Sequence, residues 1–317
     1  MSDESLRLPV IGGSARRFAV IGTPSSAGAF AIGQEDAPQA LRAAGLIENL
    51  RGAGAEVRDE GDSPVWRWRP DRARPRAQNL DAVIEQVNVT RSRVARAVRT
   101  GSIALVLGGD CSVGMGTVAG VADVDPSVGL VYFDLHADLN TPESVPDGAL
   151  DWTGVAHMLA VDGTDSALTR IGPRTPLLGP ADIVLFGHDA AQATGWEADQ
   201  IAQRSLARIP VESVRDDPLA AARQALDLLA SARSLVVHLD VDVIDFTDAP
   251  LSENTGRNIG LGLADVVAAL GELASSDRLA GLTICEVNPT HASAEEGLLE
   301  RFAAVLAGAL QPPTLRS

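Results

Sequence analysis

Phe133-Asp134-Leu135-His136-Ala137-Asp138-Leu139-Asn140 follows a short apolar run at residues 128–132 that is typical of a buried β-strand. In backbone that stays extended beyond a strand, alternate side chains point to the same side. We therefore expect Asp134, His136 and Asp138 to converge while the residues between them pack behind. Two carboxylates and an imidazole arranged in this way form a small anionic cage that suits a cation.

A second strand-like run, residues 235–239, leads in the same manner into Asp240, Asp242 and Asp245. Taken alone, either stretch is also compatible with a capping or salt-bridge cluster on a loop. Together they place several like charges at strand ends, which is costly unless a cation neutralises them. The two stretches supply enough oxygen and nitrogen ligands for two divalent cations of the harder kind, and Mn²⁺ is a natural occupant.

Apolar runs that predict strands alternate along the chain with segments whose apolar residues keep helical spacing. The predicted strands are residues 17–22, 56–58, 103–107, 128–132, 182–189, 234–239 and 279–284, and the predicted helices are residues 38–50, 80–98, 219–229, 266–273 and 298–310. This order predicts an α/β fold with a mostly parallel sheet covered on both faces, and a site beyond the carboxyl ends of the strands. Neither a repeat nor a linker argues for a second domain, so we expect one domain over residues 1–317.

The composition argues against several classes of protein. No apolar run reaches the ~20 residues of a membrane helix, and residues 1–7 are polar and charged, so we expect a cytoplasmic protein without a membrane partner. Two cysteines are too few for a disulfide framework, which agrees with a reducing compartment. The formal net charge of -16 disfavours nucleic acid as a partner, because phosphate binding needs a basic face.

Residues 66–76 are a local exception to this acidic character. The run Trp66-Arg67-Trp68-Arg69-Pro70-Asp71-Arg72-Ala73-Arg74-Pro75-Arg76 is basic, aromatic and broken by proline, which is compatible with a nucleic-acid or subunit contact. We favour a solvated loop, or one packed against a neighbouring subunit, since charge runs are usually solvated faces.

Four short motifs, taken together, resemble one known family in their order and approximate spacing. They are Gly108-Gly109-Asp110-Cys111-Ser112, Asp134-Leu135-His136-Ala137-Asp138, Asp240-Val241-Asp242 and Glu286-Val287-Asn288-Pro289. The chain resembles the ureohydrolases, the arginase and agmatinase family, over nearly its whole length. The resemblance implies a three-layer α/β/α sandwich with a parallel sheet and a pair of Mn²⁺ ions that share a bridging hydroxide. It also implies a homo-oligomer, either a trimer or a hexamer.

Carried over by position, the resemblance assigns six metal ligands. It places Cys111, Asp134, Asp138 and Asp240 around one ion, and His136 and Asp242 around the other, with Asp134 and Asp240 as bridges. Two cations lower the pKa of the water between them, so that hydroxide is available near neutral pH to attack a trigonal carbon.

The same resemblance assigns catalytic roles to Asp138, His157 and Glu286. Asp138 would orient the hydroxide by accepting its hydrogen bond, and His157 would pass a proton to the leaving amine. Glu286 would pair with the guanidinium or amidine nitrogens of the substrate through charge-assisted hydrogen bonds. The alternatives are a packed helix or loop residue for His157 and a cap on the Pro289 turn for Glu286. His291, just beyond, is expected to be structural.

Cys111 departs from the family pattern, which normally has histidine at this position. Cysteine ligates metal only as thiolate and is softer than imidazole, so we expect weaker binding of the first ion, a more thiophilic ion, or altered reactivity. A cysteine here also occurs in the family branch that hydrolyses N-hydroxyarginine. A buried cysteine behind an emptied metal site is the alternative.

Substrate recognition departs from the pattern as well. Asn140 and Thr153 occupy positions that in arginases help to hold the α-carboxylate of the substrate. Ala191 stands where arginases have an acid for the α-amino group, which disfavours ordinary arginine. Arg257 is compatible with a contact to a substrate carboxylate and equally with a surface position.

These expectations define a dinuclear metal hydrolase that cleaves a C–N bond of a guanidino, amidino or related hydroxylated small molecule. It would release urea, hydroxyurea or a similar product from an amine. One alternative is hydrolysis of another amide-like bond, such as a formimino or hydroxamate group, on the same scaffold. The other is a catalytically silent family member that acts as a binding or assembly subunit.

Overall fold

Strands that are mostly apolar pair into a single parallel sheet. The computed structural model describes residues 15–311, and within them eight strands are arranged in the order β2-β1-β3-β8-β7-β4-β5-β6. Every neighbouring pair is parallel. The strands are β1 (Arg17–Gly22), β2 (Glu56–Asp62), β3 (Ile103–Leu107), β4 (Val128–Phe133), β5 (Ile183–His188), β6 (Ala207–Pro210), β7 (Ser234–Asp240) and β8 (Leu279–Cys285).

Helices connect these strands in the described part of the chain. They are α1 (Ala37–Ala43), α2 (Leu46–Gly52), α3 (Leu80–Arg99), α4 (Val113–Ala122), α5 (Gly154–Met158), α6 (Ser166–Thr169), α7 (Gly195–Arg204), α8 (Val211–Asp216), α9 (Pro218–Leu228), α10 (Leu263–Ala274), α11 (Pro289–Ala292) and α12 (Leu298–Ala309). Single 3₁₀ turns lie at Gln34–Asp36, Asp151–Thr153, Pro180–Asp182 and Val241–Val243. Among residues 15–311, no helix has both the length and the apolar character needed to cross a membrane.

Strand β1 shows why the central strands are apolar on both sides. Phe18 and Val20 pack into one hydrophobic layer, to which α1, α2, α10 and α12 contribute. Ala19 and Ile21 point the other way and pack into a second layer with α3 and α4. Since both faces are covered, alternation of polar and apolar residues is absent, as expected for a parallel sheet. The predicted three-layer α/β/α sandwich is confirmed.

The prediction of one continuous helix over residues 38–50 is wrong. The structure has two short helices, α1 and α2, with Gly45 between them at a φ of +83°. This left-handed conformation favours glycine and cannot continue a right-handed helix. The apolar spacing runs through the break because both helices pack on the same hydrophobic layer.

Helix α4 is absent from the sequence-based prediction. All ten of its residues are buried, so it has no polar face from which a helical period can be detected. Glycines within it lower its intrinsic helix propensity further. Its packing against α3 and the sheet therefore decides its conformation.

The basic loop at residues 66–76 is held by its own chain. Arg67 forms an ion pair with Glu35 at 3.0 Å, and Arg74 pairs with Asp81 at 2.7 Å. Arg76 donates hydrogen bonds to backbone carbonyls of residues 142 and 143. These contacts agree with a solvated, packed loop and not with a surface organised for phosphate binding.

Candidate metal centre

The carboxyl ends of four adjacent strands, β3, β8, β7 and β4, carry the acidic and cysteine motifs. Cys111 follows β3, Glu286 follows β8, Asp240 ends β7 and Asp134 follows β4. Because β8 and β7 lie between β3 and β4, the sheet brings together residues as much as 175 positions apart in the chain. The edge of a parallel sheet beyond its carboxyl ends is the usual place for a site in such folds.

Overlapping groups of ligand atoms lie at this edge, and within each group the atoms are within 4.8 Å of one another. The groups are Cys111 with Asp134 and Asp138, Asp134 with His136 and Asp242, and Cys111 with Asp240 and Glu286. The His136 ring is closely held, since its Nδ1 lies 3.3 Å from an oxygen of Asp134 and 3.0 Å from one of Asp242. The structure thus brings together all six residues that we predicted as ligands.

The backbone does not stay extended after β4, contrary to our expectation. The Asp134 carboxylate accepts a hydrogen bond from the His136 amide at 2.7 Å, and the Asp240 carboxylate accepts one from the Asp242 amide at 2.7 Å. In each motif, the side chain of the first aspartate therefore holds the backbone in a tight turn by accepting from the amide two residues later. Asp138 then adopts a φ of +48°, in the left-handed region that residues other than glycine rarely use. The ligands converge through two matching turns and not through strand alternation.

Burial and mutual repulsion raise the pKa of three aspartates in the cluster. Burial, with repulsion by Asp242 second, raises the pKa of Asp134 to about 7. Burial and then repulsion by Asp134 raise the pKa of Asp138 well above its ordinary value. Burial and then repulsion by Asp242 do the same to the pKa of Asp240. A divalent cation supplies the positive charge that such a group of carboxylates needs in order to ionise fully.

Two carboxylate oxygens in the cluster are suited to bind a hard cation. Burial works against ionisation of both His136 and Asp242, but the attraction between them prevails, so the pKa of His136 is raised and that of Asp242 is lowered. Asp134 Oδ2 and Asp242 Oδ1 are buried without any hydrogen-bond partner. A buried polar atom left without a partner costs about 1–3 kcal/mol, and oxygen is the ligand that hard cations prefer. The donor set therefore fits a pair of divalent ions.

Cys111 lies where the acidic groups from different strands meet. Its Sγ donates to Asp240 at 2.9 Å, and its backbone amide donates to Glu286 at 2.8 Å. Burial, followed by the contact with Cys285 and repulsion by Asp240, raises the pKa of the Cys111 thiol well above its ordinary value. Metal binding through the Cys111 sulfur thus requires an ion able to displace the thiol proton.

Glu286 is oriented by two neighbours, and its own backbone has a φ of +62°. Its carboxylate accepts hydrogen bonds from the Cys111 amide and from the side-chain amide of Gln34, the latter at 3.2 Å. Burial, followed by repulsion from Asp151, raises the pKa of Glu286 well above its ordinary value. A cationic group bound beside Glu286 would relieve this repulsion. Neither Gln34 nor Asp151 was predicted, since neither lies in one of the four motifs.

The two residues expected to hold a substrate carboxylate differ in their availability. Asn140 is buried, and its carbonyl oxygen accepts hydrogen bonds from the hydroxyls of Ser144 and Thr194 at 3.2 and 3.0 Å. Its Nδ2 has no hydrogen-bond partner, so it offers a donor to a ligand. The Thr153 hydroxyl instead donates to the Leu150 carbonyl at 2.6 Å. Its only proton is therefore used within the local turn.

Arg257 is exposed and stacks on an aromatic ring. Its guanidinium carbon lies 4.9 Å from the centre of the Phe246 ring, which packs edge-on against His291 at 5.7 Å. A cation–π contact at an exposed site contributes about 0.5–1 kcal/mol. His291 Nδ1 hydrogen-bonds the Ser252 carbonyl at 2.8 Å. These contacts agree with the surface alternative for Arg257 and with a structural role for His291.

Both ring nitrogens of His157 are occupied by backbone atoms. Nδ1 donates to the Thr153 carbonyl at 2.8 Å, and Nε2 accepts from the Asp165 amide at 3.1 Å. The side chain is fully buried in α5, and burial lowers its pKa to about 4. These contacts leave no ring nitrogen facing the acidic cluster. The structure thus supports the packed-residue alternative, and proton transfer through His157 is not part of the function proposed below.

Replacement of His157 by phenylalanine should preserve turnover but change the pH dependence of stability. In the folded state His157 stays neutral down to about pH 4, whereas in the unfolded chain it takes up a proton below about pH 6.5. The free energy of unfolding therefore falls as pH drops between these values, by up to about 1.4 kcal/mol per pH unit for this residue. Denaturant unfolding at several pH values should show a shallower slope for the variant. An unchanged slope with abolished turnover would instead restore the catalytic role.

Asp245 does not join the acidic cluster, although we grouped it with Asp240 and Asp242. Its carboxylate accepts hydrogen bonds from the backbone amides of Thr247, Ile259 and Gly260 at 2.8, 2.8 and 3.2 Å. Burial works against ionisation of Asp245, but the hydrogen bonds prevail and lower its pKa. It organises the loop beyond β7 and is not aimed at the metal ligands.

Two residues that orient the predicted ligands were missed. The Tyr132 hydroxyl donates to Asp138, and Asn254 Nδ2 donates to Asp242 at 3.3 Å. Tyr132 is the only tyrosine in the chain and lies two positions before Asp134, the first residue of the motif. Since a buried tyrosine hydroxyl usually has a partner, its place in an apolar strand was an available signal. Asn254 lies in a loop and gave no comparable signal.

Comparison with known sequences identifies similar proteins along almost the whole chain. A family model described as Arginase family matches residues 16–310. The arginase of Bacillus caldovelox is 31% identical over 280 residues, which cover 86% of this chain and 91% of the relative. Arginase-1 of Homo sapiens is 29% identical over 286 residues, which cover 87% of this chain and 86% of the relative.

Solved structures show the same likeness in three dimensions. The arginase of Bacillus cereus superposes with a TM-score of 0.84 at 28% identity and covers 95% of this chain and 100% of its own. The native arginase of Bacillus caldovelox gives a TM-score of 0.82 at 28% identity, with 95% and 99% covered. A formiminoglutamase of Trypanosoma cruzi gives 0.71 at 19% identity, with 94% and 95% covered, which shows a shared fold alone.

Proposed function

Because this chain belongs to the arginase family, we propose that it is a dinuclear metal-dependent hydrolase of a C–N bond in a guanidino, amidino or N-hydroxyguanidino small molecule. Members of this family are metal-dependent hydrolases. The relatives named above are arginases that share about 30% identity with this chain. The substrate is therefore argued from the residues of this site.

The observation that carries the proposal is the pair of buried, unpartnered oxygens on Asp134 and Asp242 within the acidic cluster. They support a pair of divalent ions held by the six predicted ligands. Mn²⁺ is the first candidate, and other divalent ions are compatible because of Cys111. When bound, two such ions supply Lewis acidity and lower the pKa of water enough to provide a nucleophile near neutral pH.

Asp138 is the residue that we assign to the attacking water. The Tyr132 hydroxyl donates to one of its oxygens, Oδ2. The other oxygen is then available to accept a hydrogen bond from the water and to direct its lone pair toward the substrate carbon.

Glu286 and Asn140 are the residues that we assign to the substrate. A planar guanidinium or amidinium presents N–H donors that Glu286 can accept while it keeps its bonds to Cys111 and Gln34. The free Nδ2 of Asn140 would donate to an oxygen at the other end of the substrate. Together they favour a molecule with a cationic planar head and an oxygen-bearing tail.

The test is product analysis with the full chain and added Mn²⁺. Arginine, N-hydroxyarginine, agmatine and guanidinobutyrate are incubated separately, and urea, hydroxyurea and the matching amine are quantified. Release of urea or hydroxyurea together with an equal amount of amine is expected from at least one of them. Cleavage of only a formimino or hydroxamate compound would favour the alternative substrate class. No turnover of any compound by metal-loaded protein would favour a silent binding subunit.

Assembly and location complete the proposal. We expect a small molecule as the only substrate partner, a cytoplasmic protein, and a homo-oligomer of three or six chains. Light scattering on the purified chain measures its mass in solution, and a monomeric mass would contradict the assembly.

A further inference from the structure

A second cluster of soft ligands lies beside the acidic one. Cys285 Sγ lies 3.2 Å from Cys111 Sγ, and His238 Nε2 lies 3.3 Å from each of the two sulfurs. All three side chains are at least 96% buried. They come from three adjacent strands or strand ends, β3, β7 and β8. His238 and Cys285 play no part in the function proposed above.

The two cysteines are free thiols, not a disulfide. Their separation of 3.2 Å exceeds the S–S bond of about 2.05 Å. Two sulfurs and a ring nitrogen that face one another in the buried interior form a ligand set with the composition Cys₂His. This is the set that binds catalytic zinc in some enzymes with a fourth position left open.

The distances are close to those of a tetrahedral site. With Zn–S of about 2.3 Å and Zn–N of about 2.0–2.1 Å, two sulfurs lie about 3.8 Å apart and a sulfur and a nitrogen about 3.6 Å apart. The cluster has 3.2 and 3.3 Å for the corresponding pairs. Rotations that move the side chains by about half an ångström would admit the ion, without a change in the strands.

The direction of the His238 ring is fixed by its neighbours. The ring stacks on Tyr132, with centroids 4.4 Å apart and planes 4° from parallel. On its other edge, a Cβ added to Gly114 would lie 2.3 Å from Nδ1, so a glycine at this place in α4 gives the ring its space. The packing therefore aims Nε2 at the two sulfurs.

We infer that Cys111, His238 and Cys285 form a binding site for a thiophilic divalent cation of the Zn²⁺ class. The inference goes beyond the proposed function, because binding here requires neither a substrate nor hydrolysis. As the ion binds, two S–H bonds break, two metal–sulfur bonds form, and two protons leave for solvent. Cys111 belongs both to this cluster and to the six ligands assigned to the acidic cluster, so it links the two sites.

Affinity should be lower than that of a closed structural zinc site. A histidine that ligates through Nε2 usually donates its other proton to a carboxylate or carbonyl. Among the described residues, His238 Nδ1 has no hydrogen-bond partner. Binding is therefore expected to depend chiefly on the two thiolates.

The experiment uses Co²⁺ as a probe and Zn²⁺ as its competitor. The purified full chain is stripped with a chelator under reducing conditions and titrated with Co²⁺, while absorbance is recorded through the near-ultraviolet and visible regions. Thiolate bound to Co²⁺ gives a charge-transfer band that carboxylate and imidazole do not give. We expect this band at one equivalent and its loss when Zn²⁺ is added.

Substitutions distinguish ion binding at this cluster from ion binding at the acidic cluster. Cys285→Ser and His238→Gln should each weaken Zn²⁺ binding by more than the about 10- to 100-fold typical of losing an outer hydrogen-bond partner. Asp242→Asn is the matched control and should leave the charge-transfer band in place. Circular dichroism verifies that each variant is folded. If one of the two is not folded, Cys285→Ala is measured in its place, since it also removes one ligand of the cluster.

Two outcomes would overturn the inference. One is the absence of a charge-transfer band in the folded, fully reduced wild-type chain. The other is a band of unchanged strength in Cys285→Ser, which would place Co²⁺ on Cys111 alone. Turnover of the substrate panel is measured in the same samples, so that failure of hydrolysis and failure of thiolate binding are seen separately.

Discussion

Replacement of Asp134 by asparagine is expected to remove bound divalent metal and hydrolytic activity together. Asp134 is shared by two of the ligand groups and carries a buried oxygen without a partner. Asparagine keeps the shape and can still accept from the His136 amide, but it lacks the charge that a hard cation requires. We expect kcat/KM to fall by at least about a thousandfold, or ~4 kcal/mol of barrier.

Metal content and turnover are measured on the same preparation of Asp134→Asn. Asp245→Asn is the matched control, because Asp245 follows Asp242 in the same segment but accepts its hydrogen bonds from Thr247, Ile259 and Gly260 and belongs to none of the ligand groups. The control should lose some stability while it retains metal and rate. Retention of both metal and rate in Asp134→Asn would contradict the assignment of this residue as a shared ligand.

Replacement of Glu286 by glutamine is the second large effect that we expect. The loss of one partner from a buried charge pair costs about 3–5 kcal/mol, so kcat/KM should fall by roughly two hundred- to five thousandfold. The fold should survive, because the glutamine carbonyl can still accept from the Cys111 amide. Its new amide can donate to Gln34 Oε1, which is buried without a partner.

Steady-state kinetics with several substrates show whether Glu286 recognises charge. The decrease should be largest for strongly basic guanidino compounds and smaller for N-hydroxyguanidines, which are less basic. Glu253→Gln is the control, since that carboxylate accepts from Asn288 at 2.5 Å and lies outside the ligand groups. Equal losses for all substrates would instead indicate a general structural role for Glu286.

The positions of most strands and of the motifs were accessible from the sequence because each depends on local pattern, whereas the short strand β6 (Ala207–Pro210) was missed. Strand runs such as those of β4 and β7 are apolar on both faces, and the motif that follows each run begins at the strand end. Parallel pairing then brings Asp134 and Asp240 to one edge by geometry alone. This is why the aspartates and the histidine of the two acidic motifs could be expected at one site from their pattern, whereas Cys111 was assigned through the family resemblance.

The features of the fold and of the site that were not predicted depend on tertiary contacts, which no local sequence pattern encodes. His238 and Cys285 lie in buried strands, where they look like ordinary core residues until β7 and β8 pair beside Cys111. Thr153 is in the expected place, but its hydroxyl is turned to a backbone carbonyl. The break at Gly45 is hidden because the apolar spacing continues across it. In each case tertiary contacts decide the role of the side chain.

The central claim is that this chain hydrolyses its substrate with bound divalent metal. Its most direct test is turnover of the best substrate in the panel before chelation, after complete removal of metal, and after divalent ions are returned. We predict loss of activity on removal and recovery when Mn²⁺, alone or with Zn²⁺, is restored. Turnover that persists in folded, metal-free protein would contradict the claim.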